Sequence, residues 1–385
     1  MMVSVIDYLL FLSFGLPTCY LAIFAFASMR RKPEPKPTDE TPHSFLILIP
    51  AFMEDQVIMG SVEACLTQDY PKEKVQIVVI SEGMSDEIND RLSSLPVIVK
   101  KVSLRNRTKA KALNKALRDF TGFDVVLVLD ADNTIEWQFL KKFNAKFNEG
   151  AVVVQGHRTA KNLNNSIAVL DAISEEINNS IFRKGHYNLG VSSALIGSGM
   201  AFRFEQFKSI MTHVDVVGGF DKELEHIYLM NEEKIHYLHQ AIVLDEKIQK
   251  IGHFAQQRRR WMAAQIEHLA RFFPLFMLGV RRKNFDFCDK LFQMILLPRI
   301  LILGGVTIST VLFNMLGDGE AGTKWEVLLG LLLLLLFVSI PRRLVRKKLF
   351  VALLTLPKIF FVVFLNMFRL RHANKKFIHT PHGKH

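Results

Sequence analysis

The sequence has 385 residues, enough for one large domain with additional elements or for two ordinary domains. Hydrophobic residues make up 49% of it although 22% are charged, and the formal net charge is +12. Lysines and arginines cluster at the ends of apolar segments, without a nucleic-acid-binding motif, which favours a membrane protein and argues against nucleic acid as a partner. The three cysteines (Cys19, Cys65 and Cys288) lack metal-ligand or disulfide spacing and fit a reducing cytosol for the soluble part.

The first apolar segment, residues 8–28, is uncharged and about as long as one bilayer crossing. Arg30, Arg31 and Lys32 follow it rather than precede it, which is unlike a cleaved signal peptide. We therefore predict a retained N-terminal transmembrane helix over residues 1–30. The proline-rich charged stretch 31–43 is predicted to be a linker to the next domain.

From residue 44 onward, short β-branched runs alternate with amphipathic stretches. The predicted strands are 44–51, 75–81, 96–103, 124–132 and 151–158. Near-continuous apolar strands separated by helices indicate a mostly parallel sheet with helices on both faces, an α/β fold. Ligands bind such sheets beyond the carboxyl ends of the strands, which draws attention to Glu82, Asp130 and Asp132.

Asp130 and Asp132 stand one residue apart at the end of an apolar strand. Two carboxylates at this position suit a hard cation, Mg²⁺ or Mn²⁺, which in turn would bind a diphosphate. A D-x-D string is common, so ordinary surface acids are the alternative. Upstream, four basic residues precede or open a helix, which favours an anionic ligand or, alternatively, a solvated helix face; they are Arg105, Arg107, Lys109 and Lys111.

Two further acidic groups lie at predicted helix starts. Glu54 follows the first strand, and Asp221, Glu223 and Glu225 surround a turn after Gly219. A general base would come from such a loop, but acids are also favoured there as helix caps and by the helix dipole.

Taken in order, these segments resemble the family 2 glycosyltransferases, especially the membrane-embedded processive members such as cellulose, hyaluronan and poly-N-acetylglucosamine synthases. The matching segments are Ile49-Pro50-Ala51-Phe52 with Glu54, Lys109 with Ala112-Leu113-Asn114, Asp130-Ala131-Asp132, Gly197-Ser198-Gly199, residues 237–247, and Gln257-x-x-Arg260-Trp261. The resemblance implies a Rossmann-like GT-A domain over residues 44–265. It also implies inverting transfer from a nucleotide-diphosphate sugar, with a UDP-sugar as the expected donor.

The resemblance also assigns roles to residues. The nucleotide-sugar-binding residues it implies are Ala51, Glu54, Glu82, Lys109, Asp130 and Asp132, the last two also binding Mg²⁺ or Mn²⁺. Gln257, Arg260 and Trp261 are implied to lie beside the diphosphate and the acceptor. Two positions depart from the family pattern: Glu82 replaces the usual aspartate, and Lys222-Glu223 replaces a Glu-Asp pair, so we expect Glu223 as the base with Asp221 and Glu225 as alternatives.

The C-terminal third is rich in apolar segments that end in basic residues. We predict interfacial helices at 266–290, transmembrane helices at 291–316 and 325–341, a transmembrane or re-entrant segment at 348–368 and a basic cytosolic tail at 369–385. This arrangement predicts a multi-pass protein of the plasma (inner) membrane with a cytosolic catalytic domain. Arg258 and Arg259 are expected to contact lipid or neighbouring acids.

Three functions remain open at this stage. The acceptor is a growing polysaccharide, or it is lipid-linked and receives one sugar, or the chain is a non-catalytic membrane subunit that keeps the fold. The expected partners are the nucleotide-sugar donor, the acceptor and the lipid bilayer. Because so few membrane helices leave only a narrow channel in one chain, polymer secretion would call for self-association or a secretion partner.

Overall fold

A computed structural model describes residues 2–38, 40–317, 319–345 and 347–370. Its centre is one eight-stranded sheet. The strands are β1 (Phe45–Phe52), β2 (Val75–Glu82), β3 (Ile98–Lys101), β4 (Val125–Val128), β5 (Thr134–Ile135), β6 (Val153–Ala160), β7 (Met200–Arg203) and β8 (Ile235–Asp245).

The strand order across the sheet is β3-β2-β1-β4-β7-β6-β8-β5. β3, β2, β1 and β4 run parallel, as do β6 and β8, whereas β7 is antiparallel to both its neighbours and β5 is antiparallel to β8. The predicted mostly parallel sheet is therefore confirmed. The strands that the apolar runs did not predict are β5 and β7, which are short, and β8, in which buried and exposed side chains mix.

Some of the helices cover the two faces of the sheet, and others form the apolar segments near the N-terminus and in the C-terminal third. They are α1 (Met2–Ser28), α2 (Ile58–Leu66), α3 (Asp86–Ser93), α4 (Lys109–Leu117), α5 (Phe139–Asn148), α6 (Ser166–Asn178), α7 (His186–Asn188), α8 (Phe204–Met211), α9 (Phe220–Met230), α10 (Ile251–Phe272), α11 (Phe276–Arg281), α12 (Phe285–Ile295), α13 (Arg299–Met315), α14 (Gly319–Val338), α15 (Lys347–Leu353) and α16 (Leu356–Met367). A π-helical segment, Asn179–Gly185, joins α6 to α7.

Two apolar cores sandwich the sheet, because successive side chains of β1 point to opposite faces. Leu46 and Leu48 pack with α4, α8 and α9, whereas Phe45, Ile47 and Ile49 pack with α2 and α5. All five side chains are fully buried, and each such burial contributes roughly 1.5–3 kcal/mol. This packing on both faces holds the strands in place, so that their carboxyl ends form a rigid edge of the sheet.

Two helices are long and apolar enough to cross a membrane: Val5–Ser28 within α1, and α14. Helices α12 and α13 pass the same test only as a pair bent by 58°, which is either a broken span or a re-entrant element. The described residues thus provide two candidate spans, or three if the bent pair is one span.

The apolar helices pack around Trp325 of α14, which is fully buried. Its ring centre lies 5.3 Å from that of Phe11, 6.3 Å from that of Phe14 and 5.9 Å from that of Phe313, and its Nε1 donates a hydrogen bond to Asp7 at 2.8 Å. These side chains fill the space between α1, α13 and α14.

Three C-terminal boundaries differ from the sequence prediction. The predicted boundary between the GT-A domain (44–265) and the interfacial helices (266–290) falls inside α10, because one amphipathic helix continues across this boundary. The predicted span 291–316 is interrupted before Pro298, whose ring cannot continue α12. The predicted span 325–341 begins earlier, at Gly319, since charged residues in the first turns of α14 masked its start.

The segment 348–368 is divided between α15, which contacts α6, and α16, which contacts α10 and α13. Neither helix alone is long enough to cross a bilayer. Residues 371–385 of the predicted tail 369–385 lie outside the described residues.

Candidate active site

The carboxyl ends of β1, β2 and β4 meet at one edge of the sheet. Phe52 pairs with Glu82 across β1 and β2, and the Met53 N–H donates to the Glu82 carbonyl at 3.1 Å. On the other side of β1, β4 ends at Val128 and Asp130 follows two residues later. The edge predicted to bind a ligand therefore gathers residues from three strands.

Glu82 is buried at the end of β2, with 6% of its surface exposed. Its Oε1 accepts hydrogen bonds from the Leu104 N–H at 3.0 Å and from Arg107 Nε at 2.9 Å. The Arg107 guanidinium carbon in turn lies 4.4 Å from the ring centre of Phe52. Together, the guanidinium and the ring form a flat surface against which a planar group such as a nucleobase can stack.

Ala51 and Glu54 lie at the same edge. The Ala51 side chain belongs to the apolar core, so only its backbone is available to a ligand. Glu54 is half-buried beyond the turn at Met53, where φ is +55°, and its carbonyl accepts the Ile58 N–H at the start of α2.

Lys109 is the first residue of α4, which Thr108 caps by accepting the Lys111 N–H at 3.1 Å. The Lys109 ammonium donates to the Asp130 carboxylate and, at 2.6 Å, to the Gly197 carbonyl. Lys109 therefore connects α4, the D-x-D loop and the loop that precedes β7.

The two carboxylates of the D-x-D string differ in exposure. The Asp130 side chain is one third exposed and lies 4.0 Å from Arg158 Nη1. Asp132 is buried, and its carboxylate accepts from Asn133 Nδ2 at 3.1 Å and from the Glu246 N–H at 3.4 Å. Their oxygen atoms are the donors that Mg²⁺ and Mn²⁺ prefer.

The described residues contain no group of three His, Cys, Asp or Glu side chains that could hold a metal ion. A cation at the D-x-D loop would therefore complete its coordination with water and substrate oxygens. Mg²⁺ commonly binds in this way, through one or two carboxylates and phosphate oxygens. The donor set thus fits Mg²⁺ or Mn²⁺ bound together with a diphosphate.

The start of α9 lies beside the Lys109 contact. The Phe220 ring centre is 5.0 Å from Lys109 Nζ, and the Asp221 carboxyl carbon would be 3.8 Å from a Cβ placed on Gly197. Asp221 is half-buried, and no hydrogen bond or ion pair within the described part of the chain engages its carboxylate. Asp221 is therefore an accessible carboxylate next to Lys109.

Glu223, the expected base, lies elsewhere. It is fully buried, with one carboxylate oxygen 2.8 Å from Arg271 Nη1 and the other 3.2 Å from His268 Nδ1. These are ion-pair contacts to α10 rather than aligned hydrogen bonds. Two residues along a helix rotate a side chain by about 200°, so Glu223 faces the core when Asp221 faces the cleft. The burial of Glu223 and its contacts with α10 favour Asp221 over Glu223 as the candidate base.

Glu225, the other alternative, is also buried and serves the scaffold. Its Oε2 accepts the Leu195 N–H at 2.6 Å and pairs with Lys222 Nζ at 3.1 Å. Glu225 therefore anchors the loop that carries Gly197 and is not available to an acceptor.

Helix α10 crosses the start of α9 at Gly219, where φ is +69°. A Cβ on Gly219 would lie 2.8 Å from His268 Nε2 and 3.2 Å from Ala264 Cβ. Arg260 precedes Ala264 by one helical turn on the same face, about 6 Å along the axis. The Q-x-x-R-W segment is therefore close to the beginning of α9.

Within that segment, Gln257 Oε1 is buried and has no hydrogen-bond partner among the described residues. An unsatisfied buried acceptor costs about 1–3 kcal/mol, so Gln257 points to a group that a ligand would supply. Arg260 is half-buried, and burial lowers the pKa of its guanidinium. Trp261 remains 44% exposed and offers an apolar ring face.

Arg258 faces α6, where Nη2 donates to Asp171 at 2.6 Å. Its guanidinium carbon also lies 4.4 Å from the ring centre of Trp261. Of the two alternatives predicted for Arg258, contact with a neighbouring acid is the one that the structure shows.

A buried charged network behind the D-x-D loop was not predicted. Arg158 Nε donates to Glu175 at 2.6 Å and lies 3.8 Å from Asp245, while Lys247 pairs with both acids. Burial alone would raise the pKa values of Glu175 and Asp245, but Arg158 and Lys247 hold both below their ordinary values. The available signal was Arg158, a charged residue at the end of the predicted apolar strand 151–158.

The mostly parallel sheet, with a lysine and a D-x-D loop at its carboxyl edge, defines an α/β protein of the GT-A type. Residues 42–264 match the sequence model of the family described as glycosyltransferase like family 2. The chain belongs to this glycosyltransferase family.

Individual relatives agree with this assignment. The probable glycosyltransferase YdaM of Bacillus subtilis (strain 168) is 32% identical over 97 residues, a match that spans only 23% of this chain and 23% of YdaM. The mannosyltransferase PcManGT of Pyrobaculum calidifontis, solved with GDP-Man and Mn²⁺, is 16% identical with a TM-score of 0.55, covering 87% of this chain and 96% of its own. At this identity the similarity to PcManGT concerns the fold alone.

Proposed function

We propose that the protein transfers a sugar, with inversion at the anomeric carbon, from a nucleotide-diphosphate sugar to an acceptor at the membrane surface. The observation that carries this proposal is the convergence on Lys109, which contacts Asp130 and Gly197 and lies beside Phe220 and Asp221. A cation, a carboxylate of the D-x-D loop and an accessible carboxylate thus surround one point.

The donor is oriented by the edge of the sheet. The Phe52–Arg107 surface receives the nucleobase, with Glu82 fixing the arginine, and a UDP-sugar is the expected donor. The diphosphate of a donor bound in this way would lie near Lys109, because the Lys109 ammonium contacts the D-x-D loop.

Asp130 and Asp132 would hold Mg²⁺ or Mn²⁺, whose bound charge offsets the charge of the departing diphosphate. The PcManGT structure contains Mn²⁺, which agrees with this assignment. Arg260, one turn from the contact between α10 and α9, supplies a further positive charge on the same side.

Asp221 is proposed as the general base. The acceptor hydroxyl oxygen forms a bond to the anomeric carbon while the bond from that carbon to the diphosphate breaks, and the hydroxyl proton goes to Asp221. The exposed ring of Trp261 offers a face on which the acceptor sugar packs.

Release of nucleoside diphosphate by the detergent-purified protein, given Mn²⁺ and a panel of sugar nucleotides, tests the proposal. Asp132→Asn should lower turnover at fixed Mn²⁺, whereas Asp90→Asn, an exposed acid on α3, should not. Turnover that survives Asp132→Asn unchanged would refute the metal assignment.

The resemblance to processive synthases makes a growing polysaccharide the first candidate acceptor. The packed aromatic cluster around Trp325 favours the second, a lipid-linked acceptor that receives one sugar, because it fills the space between α1, α13 and α14. Secretion of a polymer would then depend on self-association or a secretion partner. Product length separates the candidates, since a ladder indicates polymerisation and a single lipid-linked band does not.

We further propose a multi-pass protein of the plasma (inner) membrane, with the catalytic domain in the cytosol. In this arrangement α1, the bent pair α12–α13 and α14 cross the bilayer, and α15 and α16 lie at its cytosolic surface, where they contact α6 and α10. Accessibility of single cysteines to an impermeant thiol reagent, in a variant lacking the three native cysteines, would test this topology.

A further inference from the structure

A cavity of about 370 Å³ lies between the end of α1 and β8. Its volume is within the roughly 300–1,000 Å³ typical of small-molecule sites. β8 runs from this cavity, at Gln240, to Asp245 behind the D-x-D loop, a separation of about 16 Å along an extended strand. The cavity is therefore separate from the candidate active site.

The cavity is positively charged. Arg31 and Lys32 enter it from the segment after α1, and Lys184 enters from the π-helical segment. Within the described ranges none of the three forms a salt bridge, and Lys32 contacts only Tyr187, donating to its carbonyl at 3.3 Å and lying 4.1 Å from its ring centre. Three cations and one acid, Glu34, thus line the cavity, which leaves its lining with a net positive charge.

The acid that lines the cavity is already engaged by the backbone. The Glu34 carboxylate accepts the N–H groups of His239 at 2.8 Å and Gln240 at 3.1 Å. Burial lowers the pKa of Lys184; the charge of Glu34 opposes this shift, and the weaker effect of Arg31 adds to it. An anion entering the cavity would offset the net positive charge of its lining.

Both candidate spans end beside the cavity. A Cβ on Gly185 would collide with the Phe24 carbonyl of α1, so the π-helical segment lies directly against that helix. At the other end of the segment, Ser180 Oγ donates to the Ser339 carbonyl, one residue beyond α14, at 2.8 Å. The π-helical segment, which carries Lys184, therefore contacts α1 near its C-terminal end and the residue that follows α14.

We propose that this cavity binds the phosphate of an anionic phospholipid headgroup from the leaflet that the catalytic domain faces. The inference rests on the proposed membrane orientation of α1 and α14 but not on the identity of the sugar donor or acceptor. A basic pocket at the boundary of membrane helices is suited to lipid phosphates, and a free phosphate shares the same chemistry. Lysine and arginine bind the phosphate, and Tyr187 covers one side.

Binding of short-chain lipids to the detergent-purified full chain tests the proposal. Dioctanoyl phosphatidylglycerol is compared with dioctanoyl phosphatidylcholine and with inorganic phosphate by thermophoresis. Lys32→Gln and Lys184→Gln should each weaken binding of the anionic lipid about fivefold. Lys36→Gln, the same change of charge at an exposed linker position, is the matched control.

Glu34→Gln distinguishes the proposal from a purely structural role of these residues. An amide oxygen still accepts one of the two backbone hydrogen bonds, and the loss of negative charge should tighten lipid binding about fivefold. UDP binding by every variant reports whether the catalytic domain is folded and whether its donor site is intact.

Equal affinity for the two lipids, or wild-type affinity in both lysine variants, would overturn the proposal. Inorganic phosphate that binds as tightly as the anionic lipid, and is lost in the same variants, would uphold the anion site with a soluble ligand in place of the lipid. Failure of sugar transfer with intact lipid binding would overturn the proposed function alone.

Discussion

Asp221→Asn should remove the proton acceptor from the site without loosening the fold. General base catalysis contributes about 10²–10⁴ in rate, so we expect kcat to fall by that factor, about 3–5 kcal/mol of barrier. The KM for the donor should change little, since the proposed role of Asp221 is to take a proton from the acceptor. The melting temperature should fall only slightly, because the Asp221 carboxylate has no partner among the described residues and loses only its interaction with the α9 helix dipole, about 0.3–1 kcal/mol.

The matched change is Glu223→Gln on the same helix. Breaking a fully buried ion pair costs about 3–5 kcal/mol, but the Arg271 side chain is 53% exposed and can turn to water. We therefore expect a smaller loss, roughly 1–3 kcal/mol, which is several degrees in melting temperature for a domain of this size. Turnover per folded molecule should remain near that of the wild type.

Both variants can be compared in one preparation. Initial rates of nucleoside-diphosphate release over a range of donor concentrations give kcat and KM, and thermal unfolding followed by intrinsic fluorescence gives the melting temperature. If Glu223→Gln abolished turnover at an unchanged melting temperature while Asp221→Asn remained active, the argument from burial would be refuted.

Three further outcomes are expected. Arg260→Ala should lower kcat at least tenfold with an unchanged melting temperature. Arg258→Ala should mainly lower the melting temperature, because it loses the ion pair to Asp171 of α6. Identical behaviour of the two variants would indicate that the arginines 258–260 only contact the membrane. Burial lowers the pKa of His226 to about 4, and the difference from the usual 6.5 corresponds to about 3 kcal/mol of stability that is present above pH 6.5 and lost as the pH falls to 4. His226→Gln should make the melting temperature depend less steeply on pH over this range, with His236, whose pKa burial also lowers to about 4, still contributing; an unchanged slope would contradict the assignment. Gly219→Ala should destabilise more than Gly122→Ala, because both require positive φ but only Gly219 faces a side chain, at 2.8 Å; equal melting temperatures would contradict the close contact.

Local patterns determined much of this protein. The alternation of apolar residues in β1 fixes which of its faces meets which helices, and the apolar runs predicted five of the eight strands. The six matching segments, taken in order, indicated the family that residues 42–264 match. These features depend on neighbours in the chain, so composition and spacing reveal them.

The tertiary structure decided which side chains meet. Lys109 and Gly197 are 88 positions apart in the sequence, yet their contact brings the D-x-D loop to the start of α9. There, a helical rotation of about 200° sends Asp221 to the cleft and Glu223 into the core, although both acids fit a helix start equally well in the sequence. Likewise, Lys184 joins Arg31 only because the π-helical segment packs against the end of α1. Contacts between distant segments depend on how helices and strands pack, which local spacing does not specify.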